Sequence, residues 1–194
     1  MAIEVAQNVE VRKKLTPDDV EELVRAGKLD PDKIYELVDG ELIEVPPAWG
    51  IHGNAAMNVA GPLWVFAKEF GGCAYGAAAG FTVGPRLSNV REPDAGYTAP
   101  ERAQPPGEHF IKGAPDLAVE VLSEGQYGEA YAKGKVREYF EAGAKLVWLL
   151  DYRRKEVRVY TPNSDTYTIM RGQAVLTLEP IIAGFSLKVA DIFR

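Results

Sequence analysis

The chain has 194 residues, 46% hydrophobic and 26% charged, with 19 Gly and 13 Pro, a balance that excludes disordered, collagenous and low-complexity classes. A single cysteine, Cys73, excludes an intramolecular disulfide framework and a cysteine-rich zinc site, and two histidines leave few parts for a histidine-rich one. Twenty-two Lys and Arg against 28 Asp and Glu give a net charge of −6, which disfavours non-specific coating of nucleic acid but permits an enzyme whose own site carboxylates add negative charge.

The length predicts one domain, divided into an N-terminal helical extension over 1–30, a core over 31–160 and C-terminal strands over 161–194. No apolar run reaches the roughly 18 residues of a membrane helix, and the N-terminus lacks a basic segment followed by an apolar one. The expectation is a cytoplasmic protein with no membrane partner. The basic triplets Arg12-Lys13-Lys14 and Arg153-Arg154-Lys155 read as solvated surface.

Thr16-Pro17-Asp18-Asp19 opens a helix, with Thr16 as N-cap, Pro17 in the first turn and Asp19 at capping-box distance. Leu23 and Val24 supply its apolar face, and Gly27 ends it. Ile34–Val38 and Leu42–Val45 flank Asp39-Gly40, a hairpin signal, and Pro46-Pro47 stops the second strand. From His52 to Phe70 a helical spacing runs through Met57, Ala60, Trp64, Val65 and Lys68, with Pro62 inside it. Short strands follow at 74–77, 80–83 and 94–98, then a Pro- and Gly-rich loop over 99–113.

Leu117–Leu122 is the clearest strand, nearly continuous in apolar character, as a strand covered on both faces is. Gln126–Ala142 is helical, with Val136, Tyr139, Phe140 and Gly143 on its packed side. Leu146–Leu150 is a second buried strand, and Val157–Tyr160 pairs with it through the turn at 151–155. Strand, helix, strand argues for a parallel pair joined by a right-handed crossover. Tyr167–Phe193 reads as short strands and a terminal turn. The fold class expected is α/β, a mixed central β-sheet flanked by helices.

Several familiar sites are absent. There is no phosphate-binding Gly-x-x-x-x-Gly-Lys-Ser/Thr loop, no Gly-x-Gly-x-x-Gly after a strand, and Gly184-Phe185-Ser186 fails the nucleophile elbow. His109 reads as a solvated loop residue and Cys73 as a small packed one. What remains is carboxylate chemistry. Glu120 interrupts the most hydrophobic strand, and an ionised carboxylate buried there needs a metal, a cation or dense hydrogen bonding. Asp94 begins a strand and, taken with Glu120, makes two strand-borne carboxylates able to share a hard divalent cation such as Mg²⁺. The helix after Glu120 offers Lys133 and Lys135, both on the borders of its apolar stripe, and periodicity does not choose between them.

Pro93-Asp94 followed by Glu120-Val121-Leu122 resembles the PD-(D/E)XK nuclease superfamily, with Leu122 in the usual lysine slot. More narrowly, the order Tyr35–Leu42, His52-Gly53, Pro115–Ser123, Lys135 four residues before Tyr139, Ala142-Gly143 and Trp148–Asp151 resembles a widespread bacterial family of restriction-endonuclease-like proteins of unestablished activity. The resemblance runs from about Tyr35 to Tyr160. It implies a restriction-endonuclease-like fold and metal-dependent phosphodiester cleavage, of DNA in the first instance. It carries metal binding onto Asp94 and Glu120 and the displaced catalytic lysine onto Lys135, with Glu41 and His52 in supporting roles. The cofactor implied is Mg²⁺, with Mn²⁺ as a substitute. The chain departs from the family pattern at Ser123-Glu124 and Tyr131, where relatives carry Ser-Pro and then an acidic residue before the helix lysine.

The expected mechanism has Asp94, Glu120 and the Val121 carbonyl around one cation that activates water, with Lys135 orienting that water or stabilising the anionic transition state. Cutting both strands of a duplex requires two sites, so a homodimer or higher homo-oligomer is expected. Two rival readings remain: an inactive binding protein that retains the fold, and a hydrolase of a small phosphorylated substrate, whose salt dependence would be shallower than that of a polymer.

Overall fold

The structure is a computed structural model that describes residues 14–105, 107–122, 128–164 and 166–194. In chain order its elements are α1 (Pro17–Arg25), β1 (Ile34–Val38), β2 (Glu41–Val45), α2 (Gly50–Phe70), β3 (Cys73–Gly76), β4 (Phe81–Val83), β5 (Asn89–Arg91), β6 (Ala95–Thr98) and β7 (Ile111–Lys112). There follow β8 (Leu117–Val121), α3 (Glu129–Glu141), β9 (Leu146–Asp151), β10 (Glu156–Tyr160), β11 (Tyr167–Arg171), β12 (Val175–Leu176), β13 (Leu187–Lys188) and α4 (Val189–Ile192). Arg12 and Lys13 of the first basic triplet, Gln126 of the expected third helix and the Ser123-Glu124 departure lie outside the described residues.

A six-stranded mixed sheet ordered β11-β10-β9-β8-β6-β3 forms the centre. Its β8–β9 pair is the parallel one, with Glu120 opposite Leu149, and α3 makes the crossover. Alternation along β8 decides everything that follows. Leu117, Val119 and Val121 join the core beneath α2, together with Leu146, Trp148 and Leu150 of β9. Ala118 points the other way, into the core beneath α3 with Val147 and Leu149, and Glu120 shares its side of the strand.

The hairpin of β1 and β2 forms around Asp39-Gly40 in the expected register, Val38 opposite Glu41. It does not extend the central sheet. With β5, β4 and β7 it builds a second, five-stranded sheet, order β2-β1-β5-β4-β7, and β5 and β7 were not legible in the sequence. Three-residue β5 is too short to show alternation, and two-residue β7 sits inside the Pro- and Gly-rich loop.

Three helix faces differ from expectation. In α1 the capping box of Thr16 and Asp19 is present, but Val20 is the buried residue and Val24 is exposed. In α2 the buried stripe is Ala55, Ala56, Val59, Leu63 and Phe66, whereas Met57, Trp64 and Val65 are exposed. Both helices carry apolar residues on more than one face, so spacing alone does not say which face meets the sheet. In α3, Lys135 sits in the buried stripe with Ala132, Val136 and Tyr139 rather than on its border. Gly143 is exposed and takes φ +98° just after the C-cap Ala142, a left-handed stop that glycine adopts freely.

Candidate active site

The antiparallel register of β6 on β8, Ala95 opposite Val119, carries Asp94 alongside Glu120 at the sheet end. The Val121 N–H donates to Asp94 Oδ2 at 2.7 Å. The first turn of α2 brings His52 to the same place, its Nε2 3.5 Å from Asp94 Oδ2. From the other side, α3 lowers two side chains onto Glu120: Lys135 Nζ donates to Oε2 at 3.1 Å and Tyr139 Oη donates to Oε1 at 2.5 Å. These groups, Tyr139 apart, line a cavity of about 590 Å³ that also reaches Glu36, Glu92 and Tyr131.

Lys135 is bound on both sides, because Glu36 Oε1 lies 2.8 Å from its ammonium. Glu36 Oε2 in turn accepts from Arg91 Nη1 at 2.9 Å and from Tyr131 Oη at 2.6 Å. Arg91 completes a fork on Glu138 with contacts of 2.8 and 2.7 Å. Lys133, by contrast, projects into solvent and pairs with Glu129 one turn back. The helix register therefore separates two lysines that the sequence left equivalent.

Asp94, Glu120, Lys135 and His52 are thus brought together, and Glu41 is not: it sits exposed on the hairpin, outside the cavity. The acidic residue that the hairpin does contribute is Glu36, fully enclosed in β1. Its signal was present in the sequence, a carboxylate inside an apolar strand, the same anomaly that singled out Glu120. Glu92, Arg91, Tyr131 and Tyr139 carried no comparable signal, since each depends on which strand or helix comes to lie opposite.

Electrostatics divide these carboxylates. Burial pushes Glu120 up to about 7; Lys135 pulls against it, and Asp94 and Glu36 add repulsion in the same direction as burial. Burial likewise pushes Asp94 up to about 6, against the Val121 N–H and Lys135. Glu92 rises to about 7, again through burial and then the Glu36 charge, and its Oε2 is buried with no hydrogen-bond partner among the described residues. Glu36 goes the other way, because Lys135 and Arg91 together outweigh its burial. Burial depresses His52, a fall that Lys135 deepens and that the Glu120 charge and a hydrogen bond with the Val121 backbone oppose.

Five carboxylates, Glu36, Glu92, Asp94, Glu120 and Glu138, therefore meet two cations, Lys135 and Arg91. An excess of crowded oxygen donors with one orphaned carboxylate oxygen has the chemistry that suits a hard divalent cation. Among the described residues no three His, Cys, Asp or Glu side chains are grouped so as to hold a metal unaided. A cation at Asp94 and Glu120 would complete its shell with backbone carbonyl and water, which Mg²⁺ readily accepts.

Strand ends of a mixed sheet that present carboxylates and a helix-borne lysine to one cavity define a restriction-endonuclease-like protein. The model of the Uma2 family, described as "Putative restriction endonuclease", matches residues 18–190, and the chain belongs to that family. It is similar to a solved structure described as "a putative nuclease belonging to DUF820" from Anabaena variabilis ATCC 29413. The TM-score is 0.74 at 19% identity, over 92% of this chain and 97% of that one. No curated protein is a match. Among the described residues no helix is long and apolar enough to cross a membrane.

Proposed function

We propose that this chain is a metal-dependent nuclease that hydrolyses phosphodiester bonds of DNA in the cytoplasm. The observation that carries the reading is the meeting of Asp94, Glu120 and Lys135 in one cavity, from three separate elements. Membership of a nuclease-like family supports the class of reaction. Asp94, Glu120 and the Val121 carbonyl would hold Mg²⁺, with Mn²⁺ as substitute. When bound, that ion would supply Lewis-acid polarisation of the phosphate and a more acidic water. Lys135 holds a fixed positive charge at the cavity wall, where it can stabilise a phosphate oxygen or orient a water. His52 reads as a positioning group between Asp94 and the Val121 backbone. Two cuts in a duplex need two sites, so a homodimer or higher homo-oligomer belongs to the reading.

The test is calorimetric titration of Mg²⁺ and Mn²⁺ into the wild type and Glu120→Ala, followed by cleavage of supercoiled and linear DNA. The expected result is binding and cleavage in the wild type and neither in the variant. Undiminished metal-dependent cleavage by Glu120→Ala would remove the assignment. One observation favours a second reading, a binding protein without activity: both Glu120 oxygens and the Lys135 ammonium already have protein partners. That reading predicts DNA binding with no cleavage under any divalent cation.

A further inference from the structure

The basic triplet Arg153-Arg154-Lys155 is exposed, as the sequence implied, but it is not remote from the cavity. It forms the turn between β9 and β10, at the sheet end where β8 presents Glu120 and Val121. Asp151 braces that turn, its Oδ1 accepting from the Arg153 and Arg154 N–H groups at 3.1 and 3.0 Å. Arg154 pairs with Asp151 Oδ2 at 3.2 Å yet leaves most of its side chain in water. Tyr152 lines the cavity, and the Arg153 guanidinium lies 5.3 Å from the centre of its ring, donating to Tyr152 Oη at 3.2 Å. Trp49, at the N-cap of α2, also lines the cavity and is 80% exposed, which puts it at the mouth. Its carbonyl accepts from the His52 and Gly53 N–H groups at 2.9 and 3.2 Å, and Pro46-Pro47 stiffen the chain before it. An indole held there with most of its surface in water contributes little to packing; it is a face for something to lie on.

We infer that this rim takes an unpaired strand of DNA, with a base stacked on Trp49, neighbouring phosphates beside Arg153, Arg154 and Lys155, and the phosphate to be cut inside the cavity. The inference rests on the nuclease reading above and names the form of its substrate. Three observations favour a single strand over a duplex. Glu120 is only 6% exposed, so the phosphate must enter the cavity rather than lie across it. A volume of about 590 Å³ encloses a small ligand, not a double helix. A free indole face binds a base by stacking, which a paired base already stacked on its neighbours does not offer. Cations are also few. Among the described residues that line the cavity Lys135 is the one lysine or arginine, and Glu36 and Glu120 already hold it. The turn adds three to a chain of net charge −6, whereas a protein that grips a duplex through phosphates makes about six to ten such contacts. A duplex presents the required strand only where its base pairs open.

Fluorescence anisotropy of the full chain tests it, with a short labelled oligothymidylate and a blunt duplex of the same length, and Ca²⁺ in place of Mg²⁺. The single strand should bind at least about tenfold more tightly than the duplex, a gap of one stacked base. Its affinity should fall with salt at a log–log slope of about −2, as three phosphate contacts on a single strand require. Trp49→Ala should weaken the strand about tenfold, and Trp49→Phe, which keeps a stacking face, should restore most of that loss. Arg153→Gln should weaken binding and make the slope shallower by about 0.7. All three variants should melt and bind Mg²⁺ as the wild type does, because both side chains are exposed and neither reaches the carboxylates. Equal or tighter binding of the duplex, a slope steeper than about −5, or full strand affinity in Trp49→Ala overturns the inference and leaves the nuclease reading standing. Trp49-dependent strand binding without cleavage in Mg²⁺ or Mn²⁺ removes the nuclease reading and keeps the rim. A chain that binds neither nucleic acid overturns both.

Discussion

Asp116 and Glu120 stand four residues apart around the same strand, both buried, and the protein treats them in opposite ways. Asp116, just before β8, accepts from the Ala99 N–H at 2.9 Å and from Arg102 at 2.7 Å, and Lys145 lies 3.1 Å away. These partners outweigh its burial and hold its carboxyl below the ordinary value. Glu120, at the other end, is left raised in a cavity with three other acidic side chains despite Lys135 and Tyr139. The first is a clamp tying the start of β8 to the loop after β6 and the turn before β9. The second is held in an environment that disfavours its charge, which stability alone does not explain.

Removing the clamp should have the largest effect on the fold. Asp116→Ala removes the carboxylate shared by the Ala99 N–H, Arg102 and Lys145, and should cost about 3 kcal/mol in urea unfolding, at the low end for a broken buried pair because both cations reach solvent. Lys135→Ala should cost less, about 2 kcal/mol, since the raised carboxylates around it can take up protons rather than remain charged. Glu120→Gln should invert the pattern: stability within about 1 kcal/mol of wild type, but divalent-metal binding and DNA cleavage abolished. A Glu120→Gln variant that unfolds like Asp116→Ala would erase the contrast between the two ends of β8.

The two groups should also separate by pH. The Asp116 carboxyl lies below its unfolded value, so its stabilisation is present above the ordinary carboxylate range and is lost as pH falls through the folded pKa. Glu120 is protonated in the folded state up to about 7, so between its unfolded value and about 7 the native state binds more protons than the unfolded one. Stability should therefore fall as pH rises through that window, and Glu120→Gln should flatten the decline. Glu92, also at about 7, and Asp94, at about 6, add to the same slope and will keep it from vanishing. The smallest effect belongs to Lys133→Ala, which removes an exposed pair with Glu129 and should leave melting and cleavage unchanged. A loss of activity there would mean that the wrong lysine serves the cavity.

Much of this was written locally. The capping box at Thr16, the Asp39-Gly40 turn, the apolar runs 117–122 and 146–150 and the left-handed glycine after α3 follow from backbone preferences and short-range pattern, so sequence alone specified them. So did the anomaly of Glu120, because a carboxylate in an apolar strand is visible without coordinates. The same argument would have found Glu36, whose strand has the same character, and the family pattern drew attention to Glu41 instead. Tertiary structure decided what depends on opposition rather than succession. Alternation on β8 turned Glu120 toward α3, and helix register placed Lys135 inward and Lys133 outward. Pairing of β1 with β5 brought Glu36 and Arg91 together, and packing chose which apolar face of α2 met the sheet. A sequence records which side chains share a face; only the folded chain determines what that face meets, because partners distant in sequence become neighbours through strand pairing and packing.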